Sequence, residues 1–142
     1  MEELVIIYTD GACVPNPGKG GWGITMQYKD VIKEFSGTDP QTTNNRMEMQ
    51  AAIEALSRLK RPCNVKIYSD SKYLIDGFTQ WLPNWKRTNR KDYLNKDLWH
   101  KLEIVASTHT IEWEWVKGHS GNPGNERANT LAETAARNCS QI

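Results

Sequence analysis

The sequence predicts an α/β protein with a five-stranded mixed sheet, three antiparallel strands followed by parallel strands, flanked by helices. Three observations predict it. Strand-like segments with short links open the chain, a helical pattern follows from Thr43, and the later strand-like segments are separated by helical stretches. Short links favour antiparallel pairs, whereas a return through a helix favours parallel ones. The 142 residues fit a single domain, over residues 1–142.

The three antiparallel strands come first. Residues 4–9 are apolar and β-branched, which indicates a buried strand. A loop is expected at 15–21, and then residues 22–28 and 31–36 form a hairpin around a short turn. Residues 18–23 match G-x-G-x-x-G, but a dinucleotide site requires a helix next. Because a strand-like segment follows instead, we interpret these glycines as a tight entry into the hairpin.

The second half of the chain alternates helices and strands. From Thr43, apolar residues recur at helical spacing until Pro62. Strands are expected at 65–69 and 110–116. The expected helices are residues 73–78, 98–105 and 127–137, with an irregular, partly helical stretch at 81–96.

Composition limits the classes of protein that fit. The net charge of +1 gives a weak overall field, so any attraction to nucleic acid must come from local patches. Cys13, Cys63 and Cys139 are odd in number and widely spaced, which favours free thiols in a reducing cytoplasm over a disulfide scaffold or zinc site. No apolar stretch approaches the roughly 20 residues of a membrane span, and no signal peptide is visible. We therefore expect a cytoplasmic protein with no membrane partner. A monomer is expected because no exposed apolar stripe is left over after the core is filled.

Two of the predicted strands lead to a carboxylate. Residues 5–8 run into Asp10, and residues 65–68 run into Asp70. Open α/β sheets bind ligands at the carboxyl ends of their strands. Two such strands side by side would hold both carboxylates within reach of one ion, which predicts a metal site.

Each acidic residue also has a simpler explanation. Glu48 lies near the start of the Thr43 helix, where Asn45-x-x-Glu48 has the spacing of a capping box. Asp10 alone could be a turn residue, and Asp70 alone could cap the following helix. The joint placement of all three acids at strand ends or a helix start of one sheet favours the metal site.

Two further features allow two interpretations each. His119 lies in a glycine-flanked loop at 117–124, where it is either an exposed loop histidine or a mobile proton carrier beside the carboxylates. The basic segment, residues 86–101, is either a solvated helical face over buried tryptophans or a surface that follows a phosphate backbone. Its basic residues are Lys86, Arg87, Arg90, Lys91, Lys96 and Lys101, among Trp81, Trp85, Tyr93 and Trp99.

Taken together, these residues resemble type 1 ribonuclease H, the bacterial ribonuclease HI family, which cuts RNA in RNA–DNA hybrids. The matching segments are Tyr-Thr-Asp-Gly at 8–11, Asn-Pro-Gly at 16–18, Thr-Thr-Asn-Asn-Arg-Met-Glu at 42–48, Ser-Asp-Ser at 69–71, Trp-Glu-Trp-Val-Lys-Gly-His at 113–119 and Asn-Glu-Arg-Ala-Asn at 125–129. They occur in family order across nearly the whole chain, and no single motif carries the resemblance.

The resemblance implies a ribonuclease H-like fold and one catalytic domain over residues 1–142. It also implies a set of catalytic and substrate-binding residues. These are Asp10, Glu48 and Asp70 as acidic metal ligands, His119 in the catalytic loop, Asn16, Asn44 and Asn45 at the RNA strand, Cys13 and Lys72 beside them, Thr43 and Trp85 at the DNA strand, and Lys86 and Arg87 in the substrate-binding segment. Lys72 replaces the more usual polar amide, and the basic segment is shorter than is usual in the family.

One position departs from the family pattern. The fourth carboxylate belongs at Asn129, where this chain has an amide. An amide oxygen can ligate Mg²⁺ but brings no charge. The sequence leaves open whether this residue is natural or was introduced to disable the enzyme.

The resemblance implies endonucleolytic hydrolysis of the RNA strand by two-metal catalysis, giving 5′-phosphate and 3′-hydroxyl ends, with two Mg²⁺ ions, or Mn²⁺, as cofactors. The alternative is a hybrid-binding domain whose catalysis Asn129 weakens or abolishes. A third alternative, a junction resolvase or transposase-like nuclease, fits the Asn44–Asn45 pair and the basic segment less well.

Overall fold

A five-stranded mixed sheet in the order β3-β2-β1-β4-β5 forms the centre of the computed structural model, which describes residues 4–139. The strands are β1 Leu4–Cys13, β2 Gly18–Tyr28, β3 Val31–Thr42, β4 Asn64–Ser69 and β5 Thr110–Trp115. The first three pair antiparallel, and β4 pairs parallel to both β1 and β5. The predicted fold class is therefore confirmed.

The helices cover both faces of the sheet. They are α1 Asn44–Ser57, α2 Lys72–Asp76, which continues through a π-helical turn at Gly77–Trp81 into α3 Leu82–Arg87, then α4 Lys96–Ala106 and α5 Pro123–Arg137. The stretch expected to be irregular at 81–96 thus begins with a helix and becomes irregular after Arg87. Within residues 4–139, no helix is long and apolar enough to cross a membrane.

The first three strands are longer than predicted, because the glycine-rich segment is itself part of β2. A Cβ atom on Gly21 would lie 2.4 Å from the carbonyl oxygen of Ala132, and one on Gly23 would lie 2.4 Å from that of Ala128. Only glycine allows α5 to approach the sheet this closely. Because β2 starts at Gly18 with no helix after the motif, the dinucleotide interpretation is excluded, as predicted.

The main core lies on the opposite face, between the sheet and α1 and α4. Ile7 and Ile67 of the sheet, Met49 of α1 and Trp99 and Leu102 of α4 are fully buried there. The apolar periodicity from Thr43 predicted the α1 side of this core. The sheet therefore carries α1 on one face and α5 on the other, and both helices reach the same end of β1.

Candidate active site

Asp10 and Asp70 lie side by side because of the register between β1 and β4. The parallel pairing extends to Tyr8, which lies opposite Tyr68, and the centres of their stacked rings are 4.6 Å apart. Asp10 and Asp70 each follow the tyrosine of their own strand by two positions. β4 ends at Ser69, as expected. β1, however, continues to Cys13 by pairing with β2, so the expectation that Asp10 follows the end of its strand is wrong. The shared register still brings the two carboxylates together.

Glu48 reaches these aspartates from the other side of β1. The N-cap of α1 is Thr43, whose Oγ1 accepts a 3.2 Å hydrogen bond from the backbone N–H of Arg46. Glu48 therefore lies beyond the first turn, and the capping-box interpretation is wrong. A Cβ atom on Gly11 would lie 2.4 Å from the backbone nitrogen of Glu48. This close approach of strand and helix places Glu48 beside Asp10.

The three carboxylates form one cluster. One oxygen from each of Asp10, Glu48 and Asp70 lies within 4.8 Å of the others. Asp10 and Glu48 are 2% and 6% exposed, and Oε1 of Glu48 has no hydrogen-bond partner. Buried charged oxygens are normally paired or bound to a metal. Three carboxylates with an unsatisfied oxygen fit a hard divalent cation such as Mg²⁺ or Mn²⁺.

The cluster is electrostatically strained without a cation. Burial, followed by the charge of Asp70, raises the pKa of Asp10 to about 6. Burial raises the pKa of Glu48 well above its ordinary value, and the charges of Asp10 and Asp70 add to this. Both effects disfavour the ionised forms, so a cation that neutralises the site would be bound favourably.

The loop after β5 closes over Asp70. The indole N–H of Trp115 donates to the carbonyl oxygen of Asp70 across 3.1 Å, and a Cβ atom on Gly118 would lie 2.7 Å from Asp70 Oδ2. His119 follows in a left-handed conformation with φ of 56°, which is uncommon for a non-glycine residue. Backbone strain of this kind concentrates at functional sites. The structure thus brings His119 to the edge of the acidic cluster.

Helix α5 completes the site. It starts at Pro123 behind Asn122, whose Oδ1 accepts a 3.0 Å hydrogen bond from the N–H of Asn125. Asn129, on this helix, donates its side-chain amide to Asp10 Oδ2 across 2.7 Å. Glu133 lies one turn further along, a residue that sequence reasoning missed. Its spacing of four from Asn129 was the signal that could have found it.

These side chains line one open cleft of about 260 Å³. Its lining residues are Asp10, Gly11, Ala12, Cys13, Val14, Asn44, Glu48, Asp70, His119, Asn129 and Glu133. The cleft therefore contains all the residues predicted to be catalytic or metal-binding.

Some predicted substrate-binding residues lie at the rim of this cleft. Oδ1 of Asn16 accepts a 3.1 Å hydrogen bond from the backbone N–H of Asn44, and Asn45 is exposed in the first turn of α1. Thr43 already uses its hydroxyl as the helix cap. The Cys13 thiol donates to the carbonyl oxygen of Thr42 at 3.4 Å, and burial raises its pKa. The asparagines are therefore more available to a ligand than Thr43 or Cys13.

The remaining predicted substrate contacts lie outside the cleft. The ammonium nitrogen of Lys72 lies 4.7 Å from the ring centre of Trp115. Trp85 is stacked on Tyr93, with ring centres 4.5 Å apart. In the basic segment, Lys86 forms a 2.6 Å ion pair with Glu103, and Arg87 donates to the side chain of Asn84. These four residues therefore have partners within the protein.

Arg46 ties the basic segment to α1. Its guanidinium donates to both carboxylate oxygens of Asp97, at 2.7 and 3.0 Å, and to Oδ1 of Asn95 at 3.2 Å. Asn95 in turn donates to the hydroxyl of Tyr73 at 2.9 Å. Sequence reasoning missed this connection, which fixes the basic segment relative to the helix that carries Glu48.

Comparison with known proteins gives one consistent result. The RNase H family model matches residues 2–137 of the chain. Ribonuclease H of Nitrosococcus oceani is 54% identical over 143 residues, covering 97% of each chain. Ribonuclease HI of Pseudomonas aeruginosa is 51% identical over 136 residues, covering 92% of each.

Solved structures agree in fold. LC9-RNase H1, described as a type 1 RNase H with the type 2 active-site motif, is 33% identical with a TM-score of 0.89, covering 99% of this chain and 75% of that one. LC11-RNase H1, solved in complex with an RNA/DNA hybrid, is 24% identical with a TM-score of 0.75, covering 94% of this chain and 96% of that one. At that identity the second likeness concerns the fold alone.

Proposed function

The chain belongs to the RNase H family, and we propose that it is an endonuclease that hydrolyses the RNA strand of RNA–DNA hybrids, leaving 5′-phosphate and 3′-hydroxyl ends. The observation that carries the proposal is the convergence of Asp10, Glu48 and Asp70 within 4.8 Å. The relatives named ribonuclease H support the choice of substrate.

Asp10, Glu48 and Asp70 would hold the cofactor, with the Asn129 side chain as a neutral ligand. Two divalent cations, which we propose to be Mg²⁺ with Mn²⁺ as a substitute, supply an activated water and stabilise the leaving oxygen when bound. The donor set supports this, because its carboxylate oxygens suit hard cations and one of them, Glu48 Oε1, has no partner in the protein.

His119 would carry a proton at the edge of the cleft. Its loop lies against Asp70, and an imidazole can both accept and donate a proton near neutral pH. We propose a role in proton transfer or product release. His119 lines the same cleft as the acidic cluster, but it is not one of the three clustered acids that would bind the cofactor.

The asparagines at the rim would distinguish RNA from DNA. Asn16, Asn44 and Asn45 offer amide donors and acceptors, which can recognise a 2′-hydroxyl. Cys13 and Lys72 would lie near the same strand, Thr43 and Trp85 near the DNA strand, and Lys86 and Arg87 near its phosphates. Because 2′-hydroxyls and groove shape are not a base code, we expect weak sequence preference.

The proposal also includes a monomer in the cytoplasm. Neither Cys13 nor Cys63 forms a disulfide, which supports a reducing compartment.

The alternative is a hybrid-binding domain with little catalysis. The observation in its favour is the amide at position 129, where the family pattern has a fourth carboxylate. Incubating the protein with end-labelled RNA–DNA hybrid, and in parallel with branched DNA, in Mg²⁺ and separately in Mn²⁺ distinguishes the candidates on a gel. Cleavage of the RNA strand alone supports the proposed function. Binding without cleavage in either metal supports the alternative, and cutting of branched DNA would indicate a junction nuclease.

A further inference from the structure

Glu133 is the acidic side chain that α5 contributes to the cleft. It follows Asn129 by four residues, so the two lie on the same face of the helix one turn apart, and both line the cleft. Asn129 has turned its amide group toward Asp10, with the nitrogen 2.7 Å from Oδ2. Helix α5 therefore donates a hydrogen bond to Asp10 from position 129, whereas the negative charge that this helix brings to the cleft comes from Glu133.

Little holds Glu133 away from the cleft. Its ion pair with Arg137 is long, at 3.8 Å, and the two side chains are 41% and 68% exposed. An exposed pair of this kind contributes little to stability. The Glu133 carboxylate can therefore turn into the cleft at small cost. Glu48, which is 6% exposed, lines the same cleft, and its Oε1 has no hydrogen-bond partner in the protein, as expected of a carboxylate oxygen that binds a cation.

Charge makes this position matter. Asp10, Glu48 and Asp70 supply three carboxylates, and Asn129 is neutral. Divalent cations attract a carboxylate over several ångströms even when no direct bond forms. We propose that Glu133 compensates for the amide at position 129 by supplying the additional negative charge that holds divalent cations on the α5 side of the cleft. This inference rests on the proposed function, because it assumes that the cleft binds the cofactor.

The second acidic residue of α5 provides a matched control. Glu126, in the first turn of the helix, is exposed and is not among the residues that line the cleft. Glu126→Gln and Glu133→Gln remove the same charge from the same helix, so a general effect of net charge would appear equally in both.

The test is to titrate Mg²⁺ into the metal-free protein in the absence of nucleic acid and to measure the binding by isothermal titration calorimetry. We expect Glu133→Gln to weaken Mg²⁺ affinity about fivefold, the effect of one charge near a divalent ion at high dielectric. Glu126→Gln should bind as the wild type does, and Glu133→Asp should retain part of the affinity. In the Glu133→Gln background, Asn129→Asp should restore affinity, because it returns a carboxylate to the same face of α5.

Two results would overturn the inference. Equal Mg²⁺ affinity in wild type and Glu133→Gln would show that the side chain does not act on the cation, and an equal loss in Glu126→Gln would show a general charge effect. The melting temperature of the metal-free Glu133→Gln protein should be no lower than that of the wild type, and a large fall would indicate a structural role instead.

A hybrid-cleavage assay on the same samples distinguishes this inference from the proposed function. Mg²⁺ binding that depends on Glu133, without RNA cleavage, would refute the proposed function and leave this inference standing.

Discussion

The side-chain nitrogen of Asn129 lies 2.7 Å from Oδ2 of Asp10 and donates a hydrogen bond to it. A carboxylate in that place could not donate, and would add a fourth negative charge to a cluster that is already strained. The amide therefore stabilises the metal-free site, while it offers less charge to a bound cation.

Replacing Asn129 by Asp should move stability and metal affinity in opposite directions. Loss of the hydrogen bond and addition of a like charge should lower the free energy of unfolding of the metal-free protein by about 1–3 kcal/mol. Mg²⁺ should bind more tightly, and hybrid cleavage should be faster. Denaturant unfolding in EDTA, Mg²⁺ calorimetry and steady-state cleavage measure the three effects.

Thr130→Asp is the matched control for this variant, because it adds the same charge at an exposed position of α5. If Asn129→Asp binds Mg²⁺ and cleaves as the wild type does, the side chain at position 129 does not contact the cofactor.

The metal-free protein should lose stability as the pH rises from about 4 to above 6. The pKa of Asp10 is about 6 in the folded protein against an ordinary 3.8, so its contribution to stability is full below 3.8 and is lost as the pH passes 6. The difference corresponds to about 3 kcal/mol. Glu48 acts in the same direction, because burial also raises its pKa.

Denaturant unfolding in EDTA between pH 4 and 8 measures this loss. The Asp10→Asn variant should lack most of it and be more stable than the wild type at pH 8. The Arg46–Asp97 pair does not contribute to the change in stability between pH 4 and 8. Its hydrogen bond and charge lower the pKa of Asp97 to about 2, so its contribution is lost only as the pH falls below about 4. Parallel pH profiles for wild type and Asp10→Asn would contradict the proposed strain at the site.

His119→Ala should slow turnover without abolishing it. The proposed metal ligands stay in place, and loss of a proton carrier should reduce kcat by about a hundredfold. Steady-state and single-turnover cleavage together show whether proton transfer or product release is slowed. His100, exposed on α4, is the control position. Complete inactivation of His119→Ala with normal Mg²⁺ affinity would mean that the imidazole is indispensable to the chemistry.

The order of elements and the grouping of the acids could be predicted from the sequence, because both follow from local patterns. Apolar β-branched runs placed Asp10 and Asp70 at comparable positions on two strands, and helical periodicity placed Glu48 near the start of α1. The strand boundaries around residues 18–23 could not be predicted. Glycine has low strand propensity, and here the close approach of α5 makes it necessary.

The parts of the site that were missed depend on tertiary contacts. Glu133 lines the cleft because α5 packs on β2 through Gly21 and Gly23. The bond between Arg46 and Asp97 joins residues 51 positions apart. The Lys86–Glu103 pair likewise joins α3 to α4, so the sequence alone showed a basic residue without its partner.

Glu103→Gln should strengthen hybrid binding. In the wild type Lys86 is 2.6 Å from Glu103 Oε2, and a phosphate contact would have to compete with this pair. Without it, the dissociation constant for hybrid should fall, and the slope of log K against log salt concentration should steepen by up to about one. Glu112→Gln, which removes the same charge from a pair with Lys66, is the control. An unchanged salt slope in Glu103→Gln would place Lys86 outside the phosphate contacts.

The most direct test of the proposed cation site is the location of Mn²⁺ by anomalous scattering in crystals of the protein. The proposed site predicts anomalous density in the cleft, within about 2–2.5 Å of carboxylate oxygens of Asp10, Glu48 and Asp70, and loss of this density in Asp10→Asn. Mn²⁺ that supports RNA cleavage in solution but binds elsewhere in the crystal, leaving these three carboxylates without a cation, would contradict it.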